Sequence, residues 1–186
     1  MPLKVLDRKV IYRGKVFSTI VDEVEYDSGH KAIREVAEHP GGAVVLPLLD
    51  DGRIVFVYQK RYPLNEFLYE LPAGKLEPNE PPELCAKREL KEETGYDAGQ
   101  IEKLTAIYTS PGFCTERLHI FIARDLRDGK QNLEEGEIDL KLKLIPAKEA
   151  FEMVGRGEIV DAKTIVGLFF LRNSVSRPWS GSFGKV

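Results

Sequence analysis

The sequence predicts a mixed α+β sandwich. Short bursts of strand-favouring residues flank a few helical stretches, without the regular strand–helix alternation of a doubly wound sheet. A block of alternating apolar and polar residues near the N-terminus adds an antiparallel layer of its own. One highly charged stretch, residues 83–94, is built almost wholly of good helix formers.

Each element follows from local signals. In residues 4–40 the strand formers Val5, Val10, Ile11, Tyr12, Val16, Phe17, Val21, Val24 and Tyr26 are interrupted by Gly14 and by Ser28-Gly29, which reads as an antiparallel meander. Pro40-Gly41-Gly42 breaks the chain before Ala43–Leu49, an apolar run of strand length. Asp51-Gly52 is a hairpin turn into a strand over Arg53–Gln59, and Phe67–Leu71 makes a shorter strand. Pro81 and Pro82 suit the first turn of a helix over 83–94, and Gly95 sits where a terminating glycine belongs. Strands are expected at Glu102–Thr109, Leu118–Ala123 and Leu140–Ile145, with a polar, acidic loop over Asp125–Gly136. Ala147–Val154 is helical and stops at Gly155–Gly157; Asp161 caps a last helix through Leu171. The chain thus divides into a meander over 1–40, a main unit over 41–172 and a loose tail over 173–186, which holds Trp179.

Composition narrows the function. The chain has 186 residues, with 27 Lys+Arg against 30 Asp+Glu, a net charge of −3. That balance removes the electrostatic case for nucleic-acid or anionic-membrane binding. No apolar run approaches the ~18–20 residues of a membrane helix. The N-terminus meets Asp7 and Arg8 too soon for a signal peptide, so the cytoplasm is the expected compartment. Cys85 and Cys114 form no CxxC, hence neither a disulfide framework nor a zinc cluster. No GxxxxGK[ST] loop occurs, which disfavours a P-loop kinase or ATPase. Cys114 and His119 make a nucleophile pair only on paper, because His119 falls in an expected strand. His30 and His39 lack ligand spacing, although His39 could face substrate.

The informative stretch runs from Gly74 to Gly95. On a helix at 100° per residue Glu89 and Glu93 share a face, Glu92 lies one flank over, and Lys87 and Lys91 point away. Cys85 and Ala86 lie one turn earlier, so the carboxylates sit on or beside the semi-apolar face. Like charges at this spacing repel by roughly 0.2–0.5 kcal/mol per pair in water, and more when partly buried. A divalent cation would remove that repulsion; hard cations such as Mg²⁺ take carboxylate oxygens and keep positions open for phosphate and water. Taken alone, the helix fits a solvated charged face equally well.

Gly74, Glu80, Arg88, Glu89, Leu90, Glu92, Glu93, Gly95 and Tyr96 together resemble the Nudix hydrolase box; Tyr96 fills a slot that is more often aliphatic. The resemblance implies a Nudix-type α/β/α sandwich with a mixed sheet plus the N-terminal antiparallel sheet. It also implies hydrolysis of a nucleoside diphosphate linked to another group. By matched position Glu89 and Glu93 would be metal ligands together with the Ala73 carbonyl. Glu92 would support them and Arg88 would orient the carboxylates. Glu80 stays open between steadying the loop and contacting metal. The implied cofactor is Mg²⁺, with Mn²⁺ as the alternative.

Features outside the box resemble the ADP-ribose pyrophosphatase subfamily. They are Ser110-Pro111-Gly112-Phe113, with Pro111 sixteen residues after Gly95, together with Glu70-Leu71-Pro72-Ala73-Gly74-Lys75 and Gln59-Lys60-Arg61-Tyr62. The resemblance implies cleavage of ADP-ribose to AMP and ribose 5-phosphate. The alternatives are the same chemistry on a UDP- or GDP-sugar, and a non-catalytic nucleotide-sensing module. It implies that Arg61 binds phosphate and Glu116 the distal ribose, with Glu70, Pro111 and Gly112 also on the substrate side. Arg34 and Glu35 would be substrate-side or dimer-contact residues, in a homodimer whose N-terminal sheet helps form the partner's pocket. A glutamate from a late loop would act as base: Glu135, or Glu137 as base or ligand, from a segment that also holds Glu134. No nucleic-acid or membrane partner is expected.

Overall fold

The computed structural model describes residues 3–133 and 138–176. Three strands, β1 (Lys4–Arg13), β2 (Ser18–Glu25) and β3 (Lys31–Glu38), form the antiparallel sheet β1-β2-β3. The turn at Gly14 closes by the Gly14 N–H donating to the Phe17 carbonyl at 3.1 Å. At the second turn Gly29 adopts φ +80°, a left-handed conformation that glycine takes without steric cost. Along β2 the side chains alternate, and Ile20, Asp22 and Val24 are the buried set. Asp22 is tolerated there because Arg8 donates two hydrogen bonds to its carboxylate, at 2.8 and 2.7 Å.

The main unit is organised around β4 (Gly42–Pro47), buried at every position. β4 pairs in parallel with β9 (Arg117–Arg127), Val44 opposite Ile120, and antiparallel with β7 (Ala73–Lys75). With β8 (Asp97–Tyr108) on the far side of β9, the mixed sheet runs β7-β4-β9-β8. The pleat sends Ala43 and Val45 to one face, where they meet Cys85, Ala86 and Leu90 of the acidic segment. Val44 and Leu46 go to the other face, packing with Phe56, Leu71, Leu168 and Leu171. That second face is closed by the antiparallel sheet β10-β5-β6 (β10 Lys141–Pro146, β5 Arg53–Arg61, β6 Glu66–Glu70) and by helices α2 (Ala147–Gly155) and α3 (Ala162–Ser176). The arrangement is the mixed α+β architecture read from the residues, in the α/β/α form that the resemblance implies.

Several boundaries differ from expectation. β8 begins five residues early and β9 runs through Arg127, so Asp125–Arg127 are strand rather than loop. These extensions pair mostly polar residues, Asp97 with Arg127 and Gln100 with Arg124, around one apolar pair, Ala98 with Leu126, that packs on the core. The three-residue β7 was not foreseen, because it exists only by pairing with β4. α3 passes Leu171 and continues to Ser176, since nothing before Pro178 stops it. Trp179 lies outside the described residues. Among the described residues no helix is long and apolar enough to cross a membrane.

Candidate active site

The acidic stretch is not one regular helix. α1 (Pro82–Glu89) gives way to a π-helical turn over Leu90–Thr94, which ends at Gly95 with φ +79° and its N–H on the Lys91 carbonyl at 2.8 Å. Such turns recur at functional sites because they shift the phase of the side chains that follow. Within it the two neighbouring glutamates take different environments. Glu93 is 2% exposed and accepts the Ala73 N–H at 3.1 Å, whereas Glu92 lies nearer the surface. Buried Cys85, Ala86 and Leu90 fix the segment to the sheet. Residues 131–132 tie to the same turn: the Gln131 side-chain amide donates to the Glu93 carbonyl at 2.6 Å, and the Asn132 N–H to the Glu92 carbonyl at 2.9 Å.

One guanidinium joins three carboxylates. Arg88 reaches Glu80 through Nε (2.9 Å) and Nη2 (3.0 Å), and Glu89 and Glu92 through Nη1 (2.6 and 3.0 Å); Nη2 also meets the Lys75 carbonyl at 3.2 Å. The Arg88 hydrogen bonds hold the Glu80 carboxyl down at about 2, and Glu80 in return raises the arginine above its ordinary value. Glu80 also accepts the Glu77 N–H at 3.0 Å, so its bonds run to the loop and to Arg88. Burial pushes the Cys85 thiol up to about 12, which keeps it neutral beside the carbonyls of Gly74 and Lys75.

Glu89, 7% exposed, lies directly against Gly74, where a Cβ would come within 1.9 Å of its Oε1. Two nearly buried carboxylates, Glu89 and Glu93, thus converge on the Ala73–Gly74 backbone from one helical segment. Oxygen donors of this charge suit a hard divalent cation, and the missing Cβ is what lets them approach the backbone. Among the described residues no three His, Cys, Asp or Glu side chains are already arranged as metal ligands; Glu89 and Glu92 are turned onto Arg88.

A cavity of about 400 Å³ shares a wall with this cluster. Ala73, Gly74 and Arg61 line both the cavity and an adjoining hollow of about 930 Å³ that contains Glu80, Arg88 and Glu89. Arg61 holds Glu70 through Nε (2.7 Å) and Nη2 (2.5 Å), and Lys163 bonds the same Glu70 carboxylate and Asp161 (3.0 Å). Burial alone would raise the Glu70 carboxyl; the two cations outweigh it and hold it below its ordinary value. Glu116, on the same cavity, accepts the Thr109 hydroxyl at 2.8 Å.

The structure therefore gathers Ala73, Arg88, Glu89, Arg61, Glu70 and Glu116 around two joined hollows, and ties Glu92 and Glu93 to them through Arg88 and the Ala73 N–H. It does not bring Arg34, Glu35, Pro111 and Gly112 there. Arg34, Glu35 and Gly112 line a separate hollow of about 720 Å³ on the N-terminal sheet, and Pro111 is exposed in the neighbouring turn. That turn is docked on β3 by the Ala37 N–H donating to the Phe113 carbonyl at 2.8 Å. Glu134, Glu135 and Glu137 lie outside the described residues. Nothing in the sequence singles out Lys163, and Asp161 enters there only as a helix cap. Lys163 carries no local signal, since its partner Glu70 is 93 residues away. His119 sits within β9 opposite Ala43, and burial lowers its pKa.

The NUDIX domain family model matches residues 32–165. The chain is 41% identical to an ADP-ribose pyrophosphatase of Bacillus subtilis, over 91% of this chain and 92% of that one. It is 37% identical to a methanol dehydrogenase activator of Bacillus methanolicus, with the same coverage. A crystal structure of an ADP compounds hydrolase superposes with a TM-score of 0.83 at 18% identity, over 95% of each chain, which shows the shared fold.

Proposed function

The chain belongs to the Nudix family and is a Nudix hydrolase, and from that premise we propose that it splits ADP-ribose into AMP and ribose 5-phosphate in a Mg²⁺-dependent reaction. The observation that carries the reading is the convergence of buried Glu89 and Glu93 on the Ala73–Gly74 backbone, beside a cavity edged by Arg61 and Lys163. The relative of similar length that is an ADP-ribose pyrophosphatase supports the choice of nucleotide.

Nudix hydrolases generally depend on a divalent metal. Bound at this site, such a cation neutralises the diphosphate and makes a water more acidic. Glu89, Glu93 and the Ala73 carbonyl would hold it, with Mn²⁺ as the alternative to Mg²⁺. Arg88 keeps the carboxylates from repelling one another out of place, and Glu92 supports them through the same guanidinium. Arg61 spends Nε and Nη2 on Glu70, which orients the remaining Nη1 donors for a phosphate. Glu70 acts from behind, as the shared counter-ion of Arg61 and Lys163. Glu116 takes the distal ribose. Glu135, or Glu137, accepts the proton of the attacking water as one P–O bond forms and the bridging one breaks.

The proposal extends to the assembly. Residues 41–172 form the catalytic unit, and residues 1–40 make the homodimer contact, with Arg34, Glu35, Pro111 and Gly112 facing the partner or its substrate. Val5, Val10, Ile11, Tyr12 and Ile33 are exposed on that sheet, an apolar set that a second copy would cover. Free Cys85 and Cys114 support a cytoplasmic location.

The test is a nucleotide panel with Mg²⁺, resolved by chromatography for released AMP. ADP-ribose should be the fastest substrate; a preference for GDP-mannose or a UDP-sugar moves the assignment to a nucleotide-sugar pyrophosphatase. Glu93→Gln should lower kcat by two orders of magnitude or more with an unchanged melting temperature. Near-normal turnover by that folded variant refutes the metal-ligand role.

A further inference from the structure

We propose that His39 is a specificity-determining residue, the hydrogen-bond donor that works with the acceptor Glu116 to grip the two hydroxyls of a substrate's distal sugar. This rests on the function proposed above and adds to it a residue with no place in the acidic motif.

His39 is held by its backbone and its ring. Its N–H donates to the Thr115 hydroxyl at 2.8 Å, and that hydroxyl donates back to the His39 carbonyl at 3.1 Å. Thr115 is followed directly by Glu116, so this reciprocal pair sets the spacing of His39 and Glu116 across 76 residues of sequence. The ring Nδ1 accepts the Gly41 N–H at 3.0 Å. An accepting Nδ1 carries no proton, so the neutral ring is the tautomer with its proton on Nε2. For the same reason the approach of Nδ1 to Glu116 Oε1, 3.6 Å, is not an ion pair: Nδ1 has no proton to share, and the distance is too long for a hydrogen bond.

What remains is a matched pair on the cavity wall. The His39 side chain is 12% exposed, and its Nε2–H has no partner among the described residues. Glu116 gives Oε2 to the Thr109 hydroxyl and keeps Oε1 without a donor among the described residues. A donor and an acceptor a few ångströms apart, both orientated before anything binds, suit vicinal hydroxyls, each of which both gives and takes a hydrogen bond. Arg61 and Lys163 sit on the wall of the same cavity, so one pocket offers cations to a diphosphate and this pair to the sugar beyond it.

The variant His39→Asn separates the two ring functions. Its Oδ1 stands where Nδ1 stood and still takes the buried Gly41 N–H, while the Nε2 donor is lost. KM for ADP-ribose should rise about 3–10-fold with kcat within twofold, the scale of one neutral hydrogen bond. His39→Gln, which returns an amide donor near the Nε2 position, should recover part of the loss. With ADP-ribose lacking one distal-ribose hydroxyl, wild type and His39→Asn should become alike. Unchanged KM in His39→Asn, or an equal loss on both substrates, overturns the inference while leaving the activity in place. Wild-type protein that splits no ADP-ribose removes the substrate assignment and this inference with it.

Discussion

Gly74→Ala isolates the geometry on which the proposed activity depends. Gly74 has no left-handed φ, so alanine is compatible with its backbone. The added Cβ, however, would lie 1.9 Å from Glu89 Oε1, 2.1 Å from Cδ and 2.4 Å from Oε2. Real Cβ contacts do not fall below 3.0 Å, so the carboxylate must retreat by at least about 1.1 Å. It is the far end of a flexible side chain, and the retreat strains no backbone. Misplacing a catalytic group by about 1 Å costs on the order of 100-fold, or roughly 2.7 kcal/mol of transition-state stabilisation. Mg²⁺-dependent AMP release should fall by about that factor, while the melting temperature moves by only a few degrees. Gly155→Ala, whose Cβ would meet nothing within 4 Å, serves as the control for small added volume. Gly74→Ala activity within threefold of wild type would mean that the position of Glu89 against the backbone is immaterial, and the reasoning fails.

Glu70→Ala leaves Lys163 and Arg61 without their shared counter-ion in a site where Glu70 is 1% exposed. Urea unfolding should show a loss of about 3 kcal/mol, the low end for a broken buried pair, because Arg61 can turn to solvent. The exposed Lys87–Glu83 pair should yield under about 0.5 kcal/mol on Glu83→Ala, and comparable losses at both positions would contradict the assignment. Acid sensitivity provides a third check. Glu80 has its carboxyl at about 2 against an ordinary 4.5, so between those values the unfolded chain binds the extra proton. Its contribution is complete above pH 4.5 and disappears as pH falls toward 2; solvent screening keeps it well below the full value of the shift. Glu80→Gln should therefore flatten the stability profile in that window alone, and parallel wild-type and variant profiles would refute it.

The local part of this molecule could be read before folding. The helix that carries Glu89 and Glu93, the turn at Asp51-Gly52, the cap at Asp161 and the central strand after Gly42 all depend on neighbours within a few residues. Asp161 accepts the Thr164 N–H at 3.0 Å, as a cap should. The π-helical turn over Leu90–Thr94 is not legible, because a 100° wheel assumes one hydrogen-bond spacing throughout. The full lengths of β8 and β9 are not legible either, since a single apolar pair, Ala98 with Leu126, sets no rhythm among polar neighbours and the partner strand specifies the ends.

By itself the order of residues determined the chemistry on offer: carboxylates and one arginine spaced along a single helical segment, glycines where backbone and side chain must touch, and a mixed α+β architecture. Tertiary structure alone decided which distant groups meet. Lys163 becomes a neighbour of Glu70 across 93 residues, and His39 is set beside Glu116 by Thr115 across 76. Local propensity decays within a turn or two of chain, whereas a cavity wall is assembled by the packing of whole elements. Its residues leave no periodic trace in the sequence that encodes them.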